Sequence, residues 1–349
     1  MTKNRAESAP DSSSPVEVGL VCDNGTLGAC MHGLTDLFSY AGDIAAKRLR
    51  AGAVAPVRIS HWHANDDDPD VHCTYDTAPG TPNAPAVLLI PGNTQAPCVD
   101  APATSLVPWL RKQHGKGVVL AAVCGGVFIL ARTGLLSGRQ ATTHWAFHDQ
   151  FAAQFPDVLT ETDHMVIDHG DVVTAGGVLA WTDVGLRLTE RFLGQTIMLD
   201  TARYMNVDPP GREQRFYSGF EPRTKHGDDA ILKAQQWLSA RRDQAVTVAD
   251  IAKWAGLEPR TFLRRFVQAT GMNPSEYQRR LRMTRAREML EFSRKSIDEI
   301  ALGVGYSDVG GFRRVFRKVV GLTPSDYRQR FSRLRHGSDR PGAQVQHPN

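Results

Sequence analysis

One segment of this 349-residue chain carries the same pattern twice, and that repetition limits the fold more than any other feature. The first copy, GLEPRTFLRRFVQATGMNPSEYQRR, starts at Gly256, and the second, GYSDVGGFRRVFRKVVGLTPSDYRQR, starts at Gly305. Phe262, Phe266, Gly271, Pro274, Ser275 and Tyr277 return 50 residues later as Phe312, Phe316, Gly321, Pro324, Ser325 and Tyr327. Upstream, Thr247, Ile251 and Ala252 return 49 residues later as Ser296, Ile300 and Ala301. The slip between the two offsets falls in a turn, where an insertion costs least. A long fixed period marks a duplicated supersecondary unit.

Each copy parses as helix, turn, helix. Thr247-x-x-Asp250 and Ser296-x-x-Glu299 are capping boxes that open a first helix. Ile251, Ala252 and Ala255 then follow helical spacing, as do Ile300, Ala301 and Val304. Gly256 and Gly305 stop those helices at a sharp turn, and Pro259 suits the first turn of the next helix. Phe262 and Phe266, like Phe312 and Phe316, sit one helical turn apart and face a core. The Arg residues between them face outward. Residues 275–292 lack Pro and Gly and read as one helix. At about 1.5 Å per residue it is roughly 27 Å long. Such a rod can hold two recognition helices about one DNA turn apart, about 34 Å. An unrelated bundle with solvated Arg faces would have no reason to repeat the Gly, Pro and Phe punctuation.

This stretch resembles the AraC/XylS-type DNA-binding domain over roughly residues 229–335, most specifically in IALGVGYSDVGGFRRVFRKVVGLTPSDYR. Charge agrees with a nucleic-acid partner at one end only. The net charge of +4 conceals 22 Lys and Arg against 12 Asp and Glu over residues 227–336, and 18 against 24 over residues 1–226. Five cysteines (Cys22, Cys30, Cys73, Cys98, Cys124) without a CxxC argue against a disulfide framework and against zinc. His61-Trp62-His63 and the His72-Cys73 pair match no standard zinc spacing. No apolar run approaches the ~20 residues of a membrane span, and the N-terminus lacks a signal-peptide core. The expected location is cytoplasmic, without a membrane, metal or cofactor.

Ahead of the repeat, residues 1–15 read as a disordered tail. Strands are expected over residues 16–22, 86–90, 117–123 and 171–175, and helices within 27–46 and over 106–114, 127–133, 144–155 and 181–193. Residues 61–80, rich in Asp, His and Pro, read as a loop with room for one strand. The alternation means a doubly wound, flavodoxin-like α/β domain over residues 16–205. Residues 206–228 read as a linker, 229–335 as the all-α domain with two helix-turn-helix motifs, and 336–349 as a second disordered tail.

The α/β portion resembles the ThiJ/PfpI-like branch of the class I glutamine-amidotransferase-like superfamily. The residues that carry this are LLIPG (88–92), AVCGGVFILARTGLLSGRQATTHW (122–145) and VVTAGGVLAWTDVGLRLTERFLG (172–194). Joined to an AraC-type domain, it is similar to the GlxA-type transcriptional regulators. In the resembling enzymes the position of Cys124 is a nucleophile. Its strand-to-helix context predicts an exposed side chain whose thiolate the helix dipole favours. Gly125 stands where peptidase members have histidine, which counts against proteolysis. Asp36 matches the place of an acid near that cysteine. The expected effector pocket therefore comprises Asp36, Cys124, Gly125, His144, Trp145 and Trp181. The bland alternatives are an inherited fold position for Cys124, a structural role for His144, and core packing for Trp181.

On the repeat, Arg260, Thr261 and Arg264 lie on the outward face of the first recognition helix, and Arg313, Arg314 and Arg317 on the second. Arg pairs bidentately with guanine, or else contacts phosphate, the role expected of Arg279 and Arg280. Gly310 and Gly311 suggest close backbone approach to DNA. The expectation is a sequence-specific regulator that binds double-stranded DNA, senses a small nitrogenous metabolite and forms a homodimer. The resemblance also allows contact with RNA polymerase. No catalytic residue is expected. The rival reading is a hydratase or amidase that uses Cys124 and Asp36.

Overall fold

The computed structural model describes residues 15–22, 25–48, 56–64, 70–93, 106–241 and 246–332. Residues 1–14 of the first expected tail, all of the second and Cys98 lie outside them. The chain divides into two compact units, Met1–Gln214 and Arg215–Asn349.

The first unit runs β1 (Val16–Cys22), α1 (Gly28–Arg48), β2 (Val57–Ala64), β3 (Val71–Asp76), β4 (Pro85–Ile90), α2 (Leu106–His114), β5 (Val119–Val123) and α3 (Gly126–Arg132). It continues with β6 (Gln140–Ala141), a 3-10 turn (Trp145–Phe147), α4 (His148–Gln154), β7 (Leu159–Thr160), β8 (Val166–Asp168) and β9 (Val172–Ala175). The helices α5 (Trp181–Leu193) and α6 (Gln195–Met205) follow. Seven strands form one sheet in the order β3-β2-β1-β4-β5-β9-β8. Strands β2, β1, β4, β5 and β9 are parallel neighbours, and β3 and β8 close the edges antiparallel. This is the doubly wound, flavodoxin-like architecture that the alternation predicts.

The apolar run of β5 is continuous because both faces of the sheet are covered. Leu120 and Ala122 enter one core with Phe128 and Phe151, whereas Ala121 and Val123 enter the other with Leu34, Leu37 and Leu188.

Three local expectations are corrected. Residues 61–80 contain the second half of β2 and all of β3, rather than a loop with room for one strand. The outermost strand, β3, has most of its side chains in solvent and shows no alternation. Backbone pairing to β2 and the Arg58–Asp76 ion pair hold it instead. Residues 144–155 break into a 3-10 turn and α4 rather than one helix. The helix α6 went unread, although Ile197, Met198, Thr201 and Ala202 are buried at helical spacing.

The second unit holds α7 (Asp229–Ala240), α8 (Val248–Trp254), α9 (Pro259–Thr270), α10 (Pro274–Phe292), α11 (Ile297–Gly303), α12 (Val309–Val320) and α13 (Pro324–Phe331). Both capping boxes form. Gly256 and Gly305 take φ of 68° and 81°, the left-handed turn between the paired helices. Phe262, Phe266, Phe312 and Phe316 are fully buried. Phe266 meets Tyr277 edge-on at 5.2 Å, and Phe316 meets Tyr327 in the same way at 5.6 Å. Each copy thus builds its own core around one aromatic frame. One end of α10 supplies Tyr277 and Leu281 to the first core, and its other end supplies Met283, Met289 and Leu290 to the second.

Candidate functional site

In the α/β unit, three sequence motifs meet at the carboxyl ends of the central strands. Cys124 turns the chain from β5 into α3 with φ of 55°, a conformation that costs a non-glycine residue about 1–3 kcal/mol. Hydrogen bonds hold it there. The Cys124 N–H donates to the Ala175 carbonyl at 2.8 Å, and the Thr143 hydroxyl donates to the Cys124 carbonyl at 2.8 Å. At Gly126 a Cβ would stand 2.5 Å from the Ile90 and Pro91 carbonyl oxygens, so only glycine lets α3 start this close to β4.

The Cys124 side chain is only 8% exposed. Burial pushes its thiol above the ordinary range, and the backbone contact from Gly125 only partly opposes this. The expected exposed, dipole-activated thiolate is therefore corrected, because desolvation outweighs the amides of a two-turn helix. Cys30 is fully buried and its thiol is pushed up to about 12, mainly by burial, with Cys124 and Cys22 adding to the effect. The four described cysteines are free thiols.

Asp36 is also corrected as a partner of Cys124. The buried face of α1 carries Cys30, Leu34, Leu37, Phe38 and Ala41, and Asp36 lies exposed on the opposite side. The face of α1 turned inward near Cys124 thus carries a thiol, Cys30.

His144 caps the 3-10 turn. Its Nδ1 accepts the Ala146 N–H at 3.2 Å, its ring stands 5.4 Å from those of Trp145 and Phe147, and burial lowers its pKa. Trp181 opens α5 and lies over Gly33, where a Cβ would fall 2.5 Å from the indole ring. The Trp181 Nε1–H is buried without a hydrogen-bond partner among the described residues.

Sequence reasoning missed Gln214, which it placed in the linker. Gln214 is 1% exposed and accepts the Trp145 N–H at 2.8 Å. Its amide donates to the Thr143 and Thr162 carbonyls at 3.0 and 2.9 Å. No periodic pattern surrounds Gln214, so only its three-dimensional partners reveal its role.

In the helical unit, Arg260 and Arg264 are exposed on α9, with Thr261 half-buried beside them. Arg313, Arg314 and Arg317 are exposed on α12. Arg260, Arg264 and Arg317 form no ion pair with a described residue. Arg313 reaches Asp298 at 3.3 Å and Arg314 reaches Asp308 at 3.4 Å. Asp308 caps α12, where its carboxylate accepts the Gly310 and Gly311 N–H groups at 2.9 and 2.7 Å. A Cβ on Gly311 would lie 2.8 Å from that carboxylate, so local capping already accounts for a glycine there. Arg279 and Arg280 both donate to Glu276.

A helix-turn-helix domain family matches residues 251–330, and the DJ-1/PfpI family matches residues 64–191. The chain is 30% identical over 236 residues to the HTH-type transcriptional regulator ArgR of Pseudomonas aeruginosa, covering 67% of this chain and 70% of that protein. It is 26% identical over 332 residues to the regulator GbdR of Pseudomonas aeruginosa, covering 92% and 86%. It is 28% identical over 224 residues to the regulator GlxA of Rhizobium meliloti, covering 63% and 68%. The chain belongs to the AraC-type transcriptional regulators that carry a DJ-1/PfpI domain. This AraC-type regulator is a DNA-binding protein. Asp36, the acid of the hydratase or amidase reading, is exposed on α1, whereas Cys124 is buried. Among the described residues, no helix is long and apolar enough to cross a membrane.

Proposed function

We propose that this regulator reads a specific duplex sequence through α9 and α12 and senses a small nitrogenous metabolite in its α/β unit. The observation that carries the reading is the duplicated helix-turn-helix frame, which holds Arg260 and Arg264 outward without acidic partners. In it, Arg260, Thr261 and Arg264 contact base edges. Arg313, Arg314 and Arg317 divide between bases and phosphates, and Arg279 and Arg280 add phosphate contacts once released from Glu276.

The effector site is the crevice outside the carboxyl ends of β1 and β4. There the strand order reverses, the usual ligand position in an open α/β sheet. Cys124, Gly125, His144, Trp145 and Trp181 frame it, with Cys124 as a packed neutral thiol. An effector that presents an acceptor would satisfy the Trp181 indole, a donor whose burial otherwise costs about 1–3 kcal/mol. The effector domain runs to Gln214 and the DNA-binding domain from Arg215. Dimerisation through the effector domain, a cytoplasmic location and output through RNA polymerase complete the reading.

The test selects duplexes from a random-sequence pool with full-length protein, then screens amino acids and quaternary amines by thermal shift. The expected result is one enriched motif, together with a compound that both raises Tm and changes affinity for that motif. Enrichment without sequence preference would overturn the regulatory reading.

A further inference from the structure

The helix α9 carries two apolar side chains where the reading above puts base edges. Leu263 is 39% exposed and Val267 is 45% exposed. With Arg260 and Arg264 they fall at helical spacings of three, four and seven residues, so all four share one stripe. The core of this motif is filled by Phe262, Phe266 and Tyr277, all at most 1% exposed, and does not need them.

The internal repeat supplies a control. Fifty residues on, Leu263 corresponds to Arg313 and Val267 to Arg317. The matching stripe of α12 is Gly310, Arg313, Arg314 and Arg317, three cations and a glycine with no hydrocarbon side chain, while that of α9 alternates cation and hydrocarbon. A helix that met only phosphate would gain nothing from branched aliphatic side chains. The major groove displays one apolar group, the C5-methyl of thymine.

We propose that Leu263 and Val267 are specificity-determining residues that read thymine methyl groups beside the guanines contacted by Arg260 and Arg264. The inference rests on α9 being a base-reading helix. The two guanidinium groups in the same stripe favour a polyanion over an apolar protein partner. The side chains lie about 6 Å apart along the helix axis, so the two thymines fall within about two base-pair steps.

The test starts from the duplex enriched by full-length protein. Each thymine in turn is replaced by deoxyuridine, which removes the methyl group and nothing else. Fluorescence anisotropy compares wild type, Leu263→Ala and Val267→Ala. The expected result is one or two thymines, next to a guanine, at which deoxyuridine weakens wild-type binding about fourfold, the equivalent of ~0.8 kcal/mol for one methyl group. The loss should vanish in the matching Ala variant and persist in Leu263→Met, which keeps an apolar contact. If wild type binds the enriched duplex tightly yet tolerates deoxyuridine everywhere, the methyl reading is overturned while the DNA reading stands. The same holds if both Ala variants keep the full deoxyuridine loss. If no duplex is enriched, the DNA reading fails and the inference falls with it.

Discussion

Cys124 shows how one residue can keep the backbone of a nucleophile without its chemistry. The elbow is present at φ 55°, held from both sides, yet the thiol is packed away and titrates above its ordinary range. A raised pKa means that the neutral thiol dominates at pH 7, and thiolate gains only as pH climbs past the usual value. Iodoacetamide at pH 7.5 should therefore modify Cys124 more slowly than a free model thiol, as followed by mass spectrometry of the intact protein. Rapid, selective alkylation would reinstate a reactive site. Cys124→Ser should leave DNA binding and transcriptional output within about twofold of wild type, because a shaped pocket does not need a thiolate. The elbow was legible as Cys-Gly-Gly after an apolar run. The burial was not, since it depends on the packing of α1 and α5 far away in sequence.

The Arg58–Asp76 pair is a second residue-scale case. Hydrogen bonds from Arg58, at 2.9 and 2.5 Å, hold the Asp76 carboxyl at about 2. Its folded pKa is below the unfolded value, so its stabilisation is present above pH ~4 and is lost as pH falls towards 2. That contribution is roughly 2 kcal/mol. Asp76→Asn should lower stability at pH 7 and flatten the acid limb of a urea-stability curve between pH 4 and 2. An unchanged acid limb would show that the pair does not couple to folding.

At the scale of elements, legibility followed the strength of the local pattern. The apolar strands β1, β4 and β5 and the amphipathic α5 are written in periodicity, and β4 and α5 end at Pro91 and Gly194. The edge strand β3 is not, because its side chains meet water and its stability comes from a neighbour's backbone. Gln214 belongs with β3, since it lies in a segment without regular pattern and yet ties the ATTHW and Thr162 strands of chain together. Gln214→Ala would leave two carbonyls and one amide without their partner beside the tight wall at Gly176. We expect a loss of about 1–3 kcal/mol, read by thermal or urea unfolding. A variant as stable as wild type would mean that water replaces the amide at no cost. In the helical unit the duplication made the frame readable twice over. It did not reveal that Asp298 and Asp308 partly neutralise Arg313 and Arg314, because helical spacing alone does not pair residues across the turn.

At the scale of the whole molecule, the regulator joins an acidic α/β half to a basic helical half. Two DNA-binding units placed on repeated half-sites bind more tightly than one. Sedimentation of the full chain at micromolar concentration should therefore give a dimer, and a monomer would count against assembly through the α/β half. On the proposed reading, α9 is the main reader of bases and α12 contributes more to phosphate contact. Fluorescence anisotropy of Arg260→Ala and Arg317→Ala on the selected duplex and on a random duplex, across a salt series, tests it most directly. Arg260→Ala should cost about 1–3 kcal/mol on the selected duplex alone and relax preference at one position. Arg317→Ala should weaken both duplexes alike and make the salt slope shallower by about one unit. Equal weakening of both duplexes by Arg260→Ala would make Arg260 a phosphate contact and contradict the assignment of α9.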